Sequence, residues 1–234
     1  MIWRLIPSSV VPLNGQMAYD EELFREFECR HQPILRFFTF PRPTLTLGRL
    51  EARRLKLEQL SYPYEIRPTG GRAVLHGFGD LCYSILASQK DLIVGGDLIA
   101  SYQKISHLLA EGLGALGREV ALTTLKHAGL GDPHCFSTPS QAELTFQGKK
   151  VAGGAQARRG DVFLQQGVIL LTVAQEWKKA FPGAPIDNMT GLNDGESRPV
   201  ILLDQLERGL IKVFERTGIQ FEKVLTSANP SMKL

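Results

Sequence analysis

The chain has 234 residues and a formal net charge of +3, and its 43% hydrophobic and 22% charged residues are the balance of an ordinary globular protein. No apolar run approaches the ~20 residues that a membrane helix needs, and Met1 to Pro7 lack the basic start and long apolar core of a signal peptide, so a cytoplasmic protein with no membrane partner is expected. Three cysteines without a CxxC spacing and five scattered histidines argue against a disulfide framework and a metal site, and basic residues grouped only in pairs (Arg53-Arg54, Lys149-Lys150, Arg158-Arg159) fit an acidic protein partner better than nucleic acid.

Trp3 to Ile6 reads as an edge strand ended by Pro7. Asn14 to Cys29 reads as a helix, with Tyr19, Leu23 and Phe27 on one face and Asp20, Glu21 and Glu22 near its start. Ile34 to Phe40 and Thr44 to Leu47 are strand-like and expected to pair nearby across Pro41 and Pro43, and Leu55 to Leu60 is short and helix-like. Ala73 to Leu75 and Leu81 to Leu86 are strands, with Gly77 and Gly79 turning between them. Asp97 to Leu116 carries the clearest helical period, Leu98, Tyr102, Ile105, Leu109, Leu113 and Leu116, and Gly117 suits its C-terminal cap; at that spacing these residues are core. Glu119 to Leu122 is a short strand, Thr123 to Pro133 a loop, and Ala142 to Phe146, Lys150 to Gln156 and Val162 to Leu171 consecutive strands. A loop-like stretch then runs from Pro182 to Pro199. Leu203, Leu206, Leu210 and Val213 mark a last helix, and Ser227 to Leu234 a frayed tail. The sum is one mixed α/β domain over 1–234, with hairpins outnumbering βαβ crossovers.

Two stretches carry chemistry. Arg67-Pro68-Thr69-Gly70-Gly71-Arg72 sets a glycine pair between arginines, either as a tight turn or as backbone that a ligand approaches closely; neither a Walker A nor a Rossmann pattern is present. His76 follows, as a hydrogen-bonded structural residue or as a proton shuttle. The second stretch places Cys135 in a Pro-punctuated segment ahead of Lys150, Gly153 and Ala155. A free thiol is only about three per cent thiolate at neutral pH, and a cation that lowered its pKa by about one unit would raise that fraction nearly tenfold. Cys135 with Lys150 is thus a candidate nucleophile and activator for acyl transfer, against the plainer reading of a small buried hydrophobe and a solvated charge. His134 adjoins Cys135 but points to the opposite side of an extended segment. Cys29 and Cys82 read as structural.

Several of these pieces, in order, resemble the lipoate/biotin protein ligase superfamily, and within it the octanoyl-carrier-protein transferases of the lipoate ligase-like branch. They are Trp3-Arg4-Leu5-Ile6, Arg67 to His76, Leu81 to Ile85, Cys135-Phe136, Glu143-Leu144, Gly148 to Gly153, Ala155-Gln156 and Gln165-Gln166-Gly167. The resemblance implies an α+β catalytic domain, its core about 28–218, with a central, largely antiparallel or mixed sheet flanked by helices around an acyl-binding cleft. It also implies that Arg67, Gly70, Gly71 and His76, with Gly153 and Ala155, bind substrate, and that Cys135 and Lys150 are catalytic, with no cofactor. The implied donor is octanoyl-acyl carrier protein; the acceptors are lipoyl domains of 2-oxoacid dehydrogenases or the glycine-cleavage H protein. Two departures stand out: Ile66 replaces a frequent arginine, and Gly153-Gly154-Ala155-Gln156 a frequent Gly-Ser-Ala-Gln. Rival readings are an ATP-dependent lipoate–protein ligase, an amidotransferase between lipoyl domains, and a catalytically silent acyl- or carrier-binding module.

Overall fold

The computed structural model describes residues 1–12, 14–77, 79–123, 142–173, 176–181, 186–194 and 199–224. In chain order its elements are β1 (Ile2–Ile6), α1 (Gln16–Arg30), β2 (Ile34–Phe38), β3 (Thr44–Gly48), α2 (Arg49–Ala52), β4 (Tyr64–Arg67), β5 (Val74–His76), β6 (Leu81–Ser88), α3 (Leu98–Ala115), β7 (Val120–Leu122), β8 (Leu144–Phe146), β9 (Lys149–Arg159), β10 (Val162–Ile169), α4 (Glu176–Ala180), α5 (Leu203–Arg216) and β11 (Gln220–Lys223). Among the described residues, eight strands form one mixed sheet, β11-β1-β2-β6-β10-β9-β8-β7, and three form a second, β4-β3-β5. In the large sheet β1 runs parallel to β11 and β2, and all other neighbours are antiparallel.

Strand alternation gives the large sheet two apolar faces. Phe37, Tyr83, Ile85, Phe163 and Ile169 pack on one side with Ile105, Leu109 and Leu113 of α3 and Leu206, Leu210 and Phe214 of α5. Their strand neighbours face the other way. Phe38, Cys82 and Val168 meet Leu45, Leu47, Val74 and Leu75 of the small sheet, while Ile34, Leu86 and Leu164 meet Leu23, Phe24 and Phe27 of α1. The mixed α/β sheet flanked by helices expected from the sequence is the fold observed.

The helix α3 begins where Asp97 accepts a hydrogen bond from Ala100 N at 2.8 Å, and Gly117 takes a φ of +75° just past its end, as a left-handed cap requires. Four expectations need correction. β1 is not an edge strand, because β11 covers it in parallel register. β3 does not pair with β2: the chain crosses at Pro41 to Pro43 and β3 becomes the centre of the second sheet. Leu55 to Leu60 holds only a single 3-10 turn, Leu57–Gln59. Asp20 is no helix-terminus charge either, since it is fully buried against Arg36 of β2. The amino terminus of α1 is served instead by Glu65 of β4, whose carboxylate accepts from Met17 N at 2.8 Å.

Candidate active site

A cleft, partly open to solvent, lies between the two sheets. Its floor is the large sheet, chiefly Cys82, Val168, Gly153 and Ala155; its roof is the small sheet, through Thr46, Arg67, Val74 and His76. Met17 and Phe38 stand at the β2 side and Glu143 at the β9 side.

Lys150 reaches this cleft through an irregularity. β8 and β9 pair Leu144 with Ala152 but Thr145 with Lys150, which leaves Val151 as an extra residue in the ladder. Such a bulge reverses the alternation of side chains on either side of it. Lys150 therefore shares the cleft face with Gly153, whereas unbroken alternation would have sent it toward α3. Its side chain is 1% exposed, and Nζ lies 2.7 Å from Glu143 Oε2. A buried ammonium needs such a partner, because removing it leaves an uncompensated charge in a low dielectric. A Cβ on Gly153 would come within 2.9 Å of Lys150 Cε and 3.2 Å of Nζ, so the glycine makes room for the amine at the cleft wall.

Cys135 and His134 lie outside the described residues, but the points that flank them are defined. Thr123 N donates to Glu143 O, and Ala142 N to Thr123 O, each at 2.9 Å. Thr123 and Ala142, the described residues on either side of 124–141, therefore lie next to Glu143, the partner of Lys150.

Arg67 is buried, and it organises the glycine stretch. Its guanidinium donates to Thr46 O and Oγ1 at 2.7 and 2.6 Å, and to the carbonyls of Gly70 and Arg72 at 3.0 and 2.7 Å. Gly71 takes a φ of +93°, and a Cβ on Gly48 would fall 2.1 Å from Gly71 O, so this turn lies against the end of β3. Gly70 and Gly71 themselves are exposed. The structure thus brings Arg67, His76, Gly153 and Ala155 to the cavity and Lys150 to its edge, and sets the glycine pair on the loop that Arg67 clamps.

His76 is held on three sides. Nε2 is 2.8 Å from Thr46 Oγ1, Nδ1 is 3.2 Å from Cys82 Sγ, and the ring stacks on Phe40 with centroids 4.6 Å apart. Burial first, and the Arg67 charge second, lower its pKa to about 3. The imidazole is neutral at physiological pH and a weak base, which removes the physical basis for expecting a shuttle there. Burial likewise pushes the Cys82 thiol well above its ordinary range, with the Asp80 charge adding to it. Cys82 is a neutral wall residue of the cleft, a position its strand alternation alone did not reveal.

A buried polar network supports the floor. Asp20 pairs with Arg36 and accepts from Ser84 Oγ and Gln166 Nε2, both at 2.5 Å; Gln166 Oε1 accepts from Thr69 Oγ1 at 2.8 Å. Through Gln166 the network ties α1 and the large sheet to the loop at Gly70. On the opposite face, Tyr102 Oη donates to Gly154 O at 2.6 Å, and the Tyr83 ring occupies the space where a Gly167 side chain would lie. Asp20, Gln166 and Tyr102 were missed as site supports. The available signal was a charged residue on the apolar face of α1 and an amide pair, Gln165-Gln166, inside an apolar strand.

Residues 13–189 match the family model described as lipoyl protein ligase A/B catalytic domain. Among curated proteins, the chain is 42% identical over 175 residues to an "Octanoyltransferase LipM" of Carboxydothermus hydrogenoformans, covering 72% of this chain and 65% of that protein. It is 35% identical over 180 residues to one of Moorella thermoacetica, covering 73% and 66%. The matched part spans just under two thirds of the length of these relatives. Among solved structures, lipoate-protein ligase A bound with ATP is similar in fold, with a TM-score of 0.72, 24% identity, and coverage of 97% of this chain and 90% of that one. The chain belongs to the lipoyl protein ligase A/B catalytic domain family.

Proposed function

We propose that the chain is an octanoyltransferase of lipoate biosynthesis. It moves octanoyl from octanoyl-acyl carrier protein, through a thioester on Cys135, to a lysine of a lipoyl domain or of the glycine-cleavage H protein. The observation that carries this reading is the Lys150–Glu143 pair, placed by a bulge at one end of a largely apolar cleft and next to Thr123 and Ala142, the described residues on either side of the segment that bears Cys135. The names of the curated relatives support the choice of octanoyl.

The Cys135 thiolate attacks the carrier thioester carbonyl; the new C–S bond forms, and the carrier thiolate leaves and takes a proton. The acceptor lysine, as a free amine, then attacks the enzyme thioester. An amide forms, the Cys135 thiolate is expelled, and the amine proton passes to solvent. Thiolate is both a good nucleophile and a good leaving group, so each step is easier than direct transfer. Lys150 stabilises the thiolate and the developing oxyanion, while Arg67 and Gln166 keep the roof and floor fixed around the chain. Arg67, Gly70, Gly71, His76, Gly153 and Ala155 form the substrate-binding surround.

The test is acylation of an apo lipoyl domain with two donors: octanoyl-acyl carrier protein without ATP, and octanoate with ATP. Product from the first donor alone is the expected outcome. Product from the second alone overturns the assignment in favour of a ligase.

A further inference from the structure

The register of the large sheet sets out a ruler beneath the cleft. Phe38 of β2 pairs with Cys82 of β6, Cys82 with Val168 of β10, and Val168 with Gly153 of β9. All four line the cavity. Neighbouring strands are about 4.8 Å apart, so Cys82 lies roughly 10 Å across the sheet from Gly153, and Phe38 roughly 5 Å beyond Cys82. The Lys150 amine sits over Gly153, at one end of this row.

The far end is rigid. Cys82 Sγ rests against His76, whose ring is fixed by Thr46 on its other nitrogen and by the Phe40 stack. Phe38 behind it meets Phe40 edge-on, with centroids 5.9 Å apart. Met17, also at this side, is the flexible member, and a thioether chain yields to a ligand more readily than a pinned imidazole does. An apolar chain that starts at Lys150 and passes over Val168 finds the cleft closed beyond it, where His76 of the roof meets Cys82 of the floor at 3.2 Å.

We propose that Cys82, braced by His76, is the residue that sets acyl-chain length in this cleft. The inference rests on the acyl-transfer reading for which end holds the carbonyl. The side chain at 82 acts by volume: a larger one shortens the space beyond Val168, and a smaller one lengthens it. A pocket resolves one methylene more or less by a factor of about ten or more, so changes of this size at position 82 are readable.

The experiment uses the full chain and three variants, Cys82→Ala, Cys82→Val and the volume-conserving Cys82→Ser, each checked for native circular dichroism. Transfer rates to an apo lipoyl domain are measured from hexanoyl-, octanoyl-, decanoyl- and dodecanoyl-acyl carrier protein, and affinities for the four free fatty acids by calorimetry. Cys82→Val is expected to lower the octanoyl-to-hexanoyl ratio about tenfold, and Cys82→Ala to raise the decanoyl-to-octanoyl ratio by a similar factor. Cys82→Ser keeps the wild-type optimum whatever its absolute rate. A length optimum that shifts in binding, in a protein that transfers nothing, supports the gauge and overturns the transfer reading. One length profile shared by every folded variant overturns the gauge while transfer stands. Wild-type protein that binds none of the acids and transfers no acyl group overturns both.

Discussion

Two buried titratable residues close to the cleft act on stability in opposite directions. His76 falls from an ordinary value of 6.5 to about 3, so between those values the unfolded chain binds a proton that the folded chain refuses, and stability rises with pH. Asp80 rises from 3.8 to about 7, through burial above all, with Asp194 adding to it against the Gly77 N–H that donates at 2.8 Å. The folded chain then holds a proton that the unfolded chain has lost, and stability falls as pH rises through that window. The two slopes oppose each other between about pH 4 and about pH 6.5. Asp80→Asn removes only the second. Relative to wild type, its stability is expected to climb with pH across that range by up to about 1.4 kcal/mol per unit, measured by urea unfolding at several pH values. A difference between the two proteins that is constant with pH would contradict this assignment. At Gly153 an added methyl meets the far ends of the paired Lys150 and Glu143 side chains and no backbone, so they yield at little cost to the fold. Gly153→Ala is accordingly expected to change stability by less than about 1 kcal/mol while misplacing the amine and lowering turnover by about 10- to 100-fold. Equal losses of stability and turnover would count against that role for Lys150.

Between elements, the decisive support is the Asp20–Arg36 pair that joins α1 to β2 beneath the Gln166–Thr69 contact. Asp20→Ala strands the Arg36 guanidinium in a fully buried site, and the expected cost is about 3–5 kcal/mol by denaturant unfolding. A loss below about 1 kcal/mol would mean that the pair is replaceable. How much of this was legible in the sequence follows from how local each cause is. α3 was, because Tyr102, Ile105, Leu109 and Leu113 step by threes and fours within one helix, although Leu98 at its start is exposed and not core as expected. The β8, β9 and β10 hairpins were, because Gln147 and Gly148, with φ of +52° and +76°, and Gly160 turn the chain between them. The allocation of β3 to a second sheet was not, since a strand of the type Thr-Leu-Thr-Leu pairs equally well with any apolar neighbour, and its partners are fixed by packing at long range. β11 was missed because Gln-Phe-Glu-Lys is polar and short, and is a strand only through β1. The bulge at Val151 was hidden for a different reason. Lys149 to Gly154 offers too few large side chains for a break in alternation to show.

For the whole molecule, the eight-stranded sheet is a plate with different tasks on its two sides. α3 and α5 pack over the core of one face, and the small sheet with α1 leaves the cleft open on the other. The residues quoted for the family resemblance come from separate places in the chain, and the fold brings Arg67, His76, Glu143, Lys150, Gly153, Ala155 and Gln166 to one cleft. Among the described residues no helix is long and apolar enough to cross a membrane. The central claim is that this cleft serves a thioester on Cys135. It is tested most directly by intact mass spectrometry of the wild-type chain and of Cys135→Ala after mixing with octanoyl-acyl carrier protein in the absence of ATP. The account predicts a hydroxylamine-labile octanoyl adduct on wild type alone, discharged when apo lipoyl domain is added. An adduct on neither protein, with lipoyl-domain acylation only when octanoate and ATP are supplied, would contradict it.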